Sequence, residues 1–194
     1  MERKELVKLS KATKALLKDG SFILFSQNGH TKLDKAALTD VLRTRATWLD
    51  LKPAISGVGT KDERLYIYSK NAVASVCIPC EKAKTNTLLV CIHSYDNTPM
   101  FDGGQTMVRF RMVAFDAYSM DLGFLYIQEI LRDTDKVLTA MGNLKGTFDG
   151  TSEHDILAAV CNTDIRNAFV QVKHAMDKLN RTIEYYTDEV FFQI

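Results

Sequence analysis

The chain alternates between a helical and a strand-like spacing of apolar residues. At about 100° per residue, residues 2–18 place leucines on one side and lysines on the other, which predicts an amphipathic helix. Residues 21–26 form a short apolar segment and predict a buried strand. Asn28 and Gly29 then supply the backbone freedom of a tight turn. The first part of the chain is therefore predicted to be helix, strand and turn.

A second helix is predicted directly after this turn. The segment Thr31-Lys-Leu-Asp34 has the pattern of a capping box, in which the fourth residue reaches back to the first. Pro53 marks the end of the helix, and residues 56–59 are expected to form a loop. The apolar side of this helix carries Leu33, Ala37, Val41, Leu42, Trp48 and Leu49.

Residues 62–115 change to the alternation of strands. We predict four strands, at about 63–70, 72–79, 86–95 and 105–115. Because consecutive strands with short connections pair as neighbours, this block predicts an antiparallel meander.

The C-terminal half returns to helical spacing. Asp116 or Ser119 is predicted to cap a helix that runs to about residue 140. Residues 142–150 are then expected to form a loop, with a short strand at Thr147 and Phe148.

The last helix, residues 163–190, has two apolar positions in each heptad. One set is Ile165, Val172, Leu179 and Tyr186, and the other is Phe169, Met176, Ile183 and Val190. Such a helix packs along its own domain or joins a second copy of the chain, and the pattern suits both arrangements equally.

These elements predict one α+β domain over residues 1–194. We expect a mainly antiparallel sheet of four or five strands that is packed by helices, and we expect the long C-terminal helix to make a homodimer contact. The apolar fraction of 46% and charged fraction of 25% are ordinary for a globular protein. We expect no membrane segment, since the apolar runs are short and the N-terminus is charged. Four cysteines are few for this length, which favours a reducing cytoplasm.

The strand at 63–70 carries the most suggestive surface chemistry. Alternation places Leu65 and Ile67 on one face, and places on the other the residues Arg64, Tyr66, Tyr68 and Lys70. The strand at 105–115 likewise has Arg109 and Arg111 on one face, and we expect these two strands to lie together. The outer candidates for the same surface are His93 and Tyr95.

Aromatic rings between cations suit the stacking of bases and the contact of phosphates. The lysine row of the first helix, which includes Lys4, Lys8 and Lys11, is a second candidate for phosphate contact. A half-exposed sheet also favours Tyr, Arg and Lys without any ligand, and lysine rows are usually solvated helix surfaces. The net charge of +1 is low for a protein that coats nucleic acid.

A short motif bears on the same hypothesis. Lys35-Ala-Ala-Leu38, preceded by Lys32, resembles the Lys-Gly-Lys-Ala-Ala-Leu signature of the Whirly family of single-stranded nucleic-acid-binding proteins, which includes RNA-binding proteins of nucleus-forming large phages. Four strands followed by a helix are also the repeating unit of that fold. The resemblance implies that Lys32 and Lys35 contact nucleic acid and that copies assemble through helices. In that family the signature lies on a strand, whereas this sequence predicts a helix.

Cysteine and histidine residues form a candidate metal site in the second hairpin of the block. A turn about residue 84 would place Cys77 opposite Cys91, with Cys80 and His93 close by, and these are ligand types for zinc. Buried structural cysteines explain the same pattern, and we expect no cofactor. A catalytic signature such as a phosphate loop or nucleophile elbow is missing from the sequence.

The leading hypothesis is thus a non-enzymatic protein that binds single-stranded RNA or DNA. The first alternative is a viral or cellular assembly adaptor that oligomerises through the C-terminal helix. The second alternative is a small metal-dependent enzyme or zinc protein.

Overall fold

A computed structural model describes residues 22–60, 63–78, 87–94, 106–114, 116–148 and 163–189. The predicted N-terminal helix, with Lys4, Lys8 and Lys11, lies outside these residues, and so do Cys80 and Tyr95.

The described chain is an α+β fold, as predicted. Its strands are β1 (Phe22–Ser26), β2 (Gly29–Leu33), β3 (Pro53–Ser56), β4 (Arg64–Tyr68), β5 (Ala72–Cys77), β6 (Thr87–Ser94) and β7 (Thr106–Val113). Its helices are α1 (Lys35–Trp48), α2 (Ala117–Phe148) and α3 (Thr163–Glu189). Strands β1 and β2 form a hairpin of their own, and β3 to β7 form an antiparallel meander in chain order.

The two faces of the five-stranded sheet differ sharply. One face supplies the core, where Leu65 and Ile67 of β4 are buried together with the inward residues of β5, β6 and β7. Helices α1 and α2 contribute to the same core cluster through residues such as Leu42 and Phe124. The helices therefore cover the face opposite Tyr66 and Tyr68, because successive side chains of a strand point to opposite faces.

Helix α2 approaches the sheet closely at Gly123. A Cβ atom at this position would lie 2.2 Å from Sδ of Met112 on β7, which is too close for a real contact. The glycine interrupts a good helical pattern because the buried Met112 side chain occupies the space that a larger residue would need.

The start of α1 differs from the predicted capping box. Thr31 belongs to β2, and Asp34 itself is the N-cap, with its carboxylate accepting a hydrogen bond of 2.8 Å from the Ala37 amide. Pro53, which was predicted to mark the end of this helix, instead starts β3, an edge strand of the described sheet that precedes the expected loop. A proline is tolerated in this position because it cannot donate a backbone hydrogen bond, and an edge strand has a neighbour on one side only.

Helix α2 begins as predicted and ends later. Asp116 and Ser119 cap it reciprocally: the Asp116 carboxylate accepts from the Ser119 amide at 2.7 Å, and the Ser119 hydroxyl accepts from the Asp116 amide at 3.0 Å. The helix continues to Phe148, so the predicted loop over 142–148 and the short strand at Thr147 and Phe148 were wrong. The side chain of Asp135 also accepts hydrogen bonds from the amides of Lys70 and Asn71, which ties the β4–β5 turn to α2.

Helix α3 packs along α2 and uses one part of its heptad pattern to do so. Ile165 and Leu179 are buried, whereas Phe169 is 54% exposed and Met176 is 48% exposed. No helix among the described ranges has an apolar stretch that would reach across a membrane.

Candidate nucleic-acid interface

The rings of Tyr66 and Tyr68 lie side by side on the face of β4 that is opposite the described helices. Their centroids are 6.2 Å apart and their planes differ by 22°. The Tyr68 side chain is 51% exposed, and Tyr66 and Arg64 are partly exposed. Residues two apart in a strand share a face, and this places the Arg64 guanidinium on the same surface as both rings.

Two rows of register partners connect this strand with β7. One row contains Tyr66, Ser75, Cys91 and Arg109, and the next contains Arg64, Cys77, Leu89 and Arg111. Strands β5 and β6 lie between β4 and β7, so the expectation that the tyrosine and arginine strands are neighbours was wrong. At three strand spacings, the two groups are about 14 Å apart. We call the surface formed by Arg64, Tyr66, Tyr68, Arg109 and Arg111 the platform.

The middle of the platform has a floor of small and polar side chains. Ser75 and Cys91 are buried there, and the Ser75 hydroxyl lies 3.2 Å from Nε2 of His93. Burial raises the pKa of the Cys91 thiol and the adjacent Cys77 raises it further, although Arg109 and Arg64 oppose the shift. Cys91 is therefore a protonated thiol at neutral pH, which is unfavourable for metal binding or nucleophilic attack.

The cysteine geometry differs from the predicted metal site. Cys77 pairs with Leu89, and Cys91 pairs with Ser75, so the two cysteines are diagonal to each other. The prediction centred the hairpin on residue 84, whereas the observed register centres it one residue earlier. This difference moves the partner of every residue by two positions. Among the described residues no group of three His, Cys, Asp or Glu side chains is placed to hold a metal ion.

No protein-family model, curated protein or solved structure matches this chain.

The lysines outside β4 have different surroundings. Lys35, at the first turn of α1, contacts Glu63 with an Nζ–Oε2 distance of 3.5 Å and donates to the Thr60 carbonyl. Lys32 is exposed on β2. Lys70 is exposed but lies in the turn after β4, so the strand alternation that placed it with the tyrosines does not extend to it.

The partner of Lys35 is a buried carboxylate that the sequence did not reveal. Glu63 is 4% exposed and accepts from the Thr39 hydroxyl at 2.6 Å and the Gly59 amide at 3.0 Å. Burial alone would raise the pKa of Glu63, but the hydrogen bonds from Thr39 and Gly59 and the charge of Lys35 outweigh it and lower this pKa. The Lys35 ammonium thus fixes α1 to the start of β4, which makes it a weaker candidate for phosphate contact.

The platform floor was also not predicted from the sequence. The signal was present, since Val73, Ser75 and Cys77 alternate in β5 with Ala72, Ala74 and Val76, which lie on the core face. Counting strands in the meander would have placed these residues between the tyrosines and the arginines.

Proposed function

We propose that this protein binds single-stranded nucleic acid, RNA or DNA, on the platform. The observation that carries the proposal is the pair of accessible tyrosine rings on the sheet face opposite the described helices, with guanidinium groups at both sides of that face. Aromatic faces stack on bases of any sequence, and cations contact the phosphates between them.

The spacing of the platform indicates how a strand would lie. Tyrosines and arginines are about 14 Å apart, which is further than one nucleotide reaches. A strand therefore crosses β5 and β6, with bases stacked at β4 and phosphates at β7. Each stacked base contributes about 1–3 kcal/mol, so two rings and three guanidinium groups are sufficient for measurable affinity.

The resemblance to the Whirly family supports the same ligand class. Lys32 is then an additional contact candidate, since it is exposed on β2. We also propose a cytoplasmic location, because Cys77 and Cys91 are both free thiols.

The decisive experiment compares tyrosines on two surfaces. The double variant Tyr66→Ala, Tyr68→Ala is expected to weaken binding of a labelled oligonucleotide at least tenfold in an anisotropy titration. Tyr118→Ala is the matched control, since Tyr118 is also exposed but lies on α2. If wild-type protein does not bind labelled oligonucleotides at low salt, the proposal is refuted.

A second proposal concerns assembly through α3. Phe169 and Met176 belong to the heptad pattern and are about half exposed on α3, and exposed apolar side chains of this kind are typical of a contact between copies of a chain. We expect Phe169→Glu with Met176→Glu to convert a dimer to a monomer in sedimentation velocity. Arg181→Glu, which is also exposed on α3 but lies about 120° around the helix from Phe169, serves as a control for the added charge. A monomeric wild type would refute this proposal while leaving nucleic-acid binding open.

A further inference from the structure

A cluster of cations surrounds one buried carboxylate between α2 and α3. Asp133 of α2 is 1% exposed, and its Oδ1 atom lies 3.0 Å from Nζ of Lys136, 3.4 Å from Nζ of Lys178 and 3.8 Å from Nε of Arg132. The other oxygen, Oδ2, accepts a hydrogen bond of 2.9 Å from the Thr182 hydroxyl. Asp133 thus joins the two helices, but three cations converge on a single negative charge.

The groove beside this cluster is also cationic. It has a volume of about 690 Å³ and is lined by Glu129, His174, Lys178, Arg181, Thr182 and Tyr185. The groove and the Asp133 cluster together hold four lysine and arginine side chains and two carboxylates, Glu129 and Asp133, and Arg132 also pairs with Glu129 at 3.7 Å. The side chains of Lys136 and Lys178 are half exposed, so this cationic surface faces the solvent.

We propose that this groove binds a nucleoside phosphate. Arg181 and Lys178 are positioned at the groove for phosphate oxygens, because guanidinium and ammonium groups are the usual phosphate partners. The His174 ring adds a hydrogen-bonding group, and the Thr182 oxygen adds an acceptor, since its proton is donated to Asp133. The Tyr185 side chain lines the same groove with an aromatic ring that can contact a base. The volume lies within the range of about 300–1,000 Å³ that is typical of small-molecule sites.

This site is independent of the platform. Helix α2 packs on the core face of the sheet and α3 packs along α2, whereas the platform occupies the other face. If one of the two sites does not bind its ligand, the proposal for the other site is not affected.

The test is a titration of the full chain with ADP, followed by NMR of the labelled protein. We expect saturable shifts of the His174 and Tyr185 signals at submillimolar ADP. Arg181→Gln should weaken the affinity at least tenfold. The variant should still fold, because the hydrogen bond that it loses, from Arg181 Nε to the Asp177 carbonyl, is exposed and lies within α3. Lys173→Gln removes the same charge from α3 outside the groove and should leave the affinity unchanged.

Two further ligands identify which part of ADP is recognised. Pyrophosphate and adenosine should each bind at least fivefold more weakly than ADP, since each retains one half of the contacts. Equal binding of pyrophosphate and ADP would overturn the assignment to a nucleoside phosphate. Unsaturated shifts at millimolar ADP, or undiminished affinity in Arg181→Gln, would overturn the site itself.

Discussion

The two faces of β4 carry opposite chemistry within five residues. Leu65 and Ile67 are buried against the helices, while Tyr66 and Tyr68 project from the other side of the same strand. The first face is constrained by volume, as the close approach of Gly123 to Met112 demonstrates. The second face is partly exposed, so its aromatic and cationic side chains can contact a ligand. Stability and binding should therefore respond separately to mutation.

The largest expected effect comes from adjacent residues on opposite faces. Leu65→Ala removes a fully buried side chain and should lower the free energy of unfolding by about 2–5 kcal/mol. Tyr66→Ala should weaken oligonucleotide binding by about 1–3 kcal/mol with a smaller loss of stability. Urea unfolding and anisotropy measure the two quantities. Equal losses of both quantities in both variants would show that the faces are not separable.

The next largest effect concerns Glu63, which fixes the beginning of β4. A register shift of one residue would exchange the two faces of β4. We therefore expect the contacts of Glu63 to contribute to the stability of the fold. Glu63→Gln should lower the free energy of unfolding at neutral pH by about 1.5–3 kcal/mol, since hydrogen bonds to a charged acceptor are lost.

The pH dependence tests the ionised state of Glu63 directly. Its pKa is lowered in the folded protein, so its contribution is complete above the unfolded pKa, about 4.3, and is lost as the pH falls through the folded pKa. Wild type and Glu63→Gln should therefore converge in stability under acid conditions. A gap that stays constant from pH 7 to pH 3 would contradict this explanation.

A smaller effect is expected from two glycines of α2. Gly123→Ala should destabilise the fold by about 1–2 kcal/mol, because the new Cβ displaces Met112 from a full core. Gly146→Ala meets open space in the same helix and should stabilise it by up to about 1 kcal/mol. Thermal unfolding compares the two variants. Stabilisation by both substitutions would show that Met112 relocates without cost.

The smallest effect is expected in the salt dependence of binding. Arg109→Gln with Arg111→Gln should reduce the slope of log affinity against log salt by about 1.4, if each guanidinium contacts one phosphate. The Tyr66→Ala variant should keep the wild-type slope while losing affinity. If Tyr66→Ala reduced the slope and the double arginine variant kept the wild-type slope, β4 and β7 would have other roles on the platform.

Much of the fold could be predicted from local pattern. All four strands of the 62–115 block were found to within about two residues, because alternation and polar turns are local signals. Strand β3 was missed because four residues that begin with Pro53 give no readable alternation. Helix α2 extends past Gly142 and Gly146 because an exposed glycine weakens a helix without ending it.

The candidate site was harder to predict than the fold. Tyr66 and Tyr68 were correctly predicted to share one face with Arg64. Their distance from Arg109 and Arg111 depends on strand order and register, which a local pattern does not contain. The two buried carboxylates could not be predicted from the sequence, for a different reason. Glu63 and Asp133 have partners that are distant in sequence, such as Thr39 and Thr182, and no local pattern encodes such pairs.

Strand β7 lies at the border of the described sheet, and this position has a consequence for solubility. Among the described strands, β7 has a neighbour on one side only, and a border strand of eight residues is a place where another extended chain can pair. Arg109 and Arg111 are exposed along this border, and charged side chains there oppose pairing between copies. Their replacement by apolar residues should therefore promote aggregation even in the absence of nucleic acid.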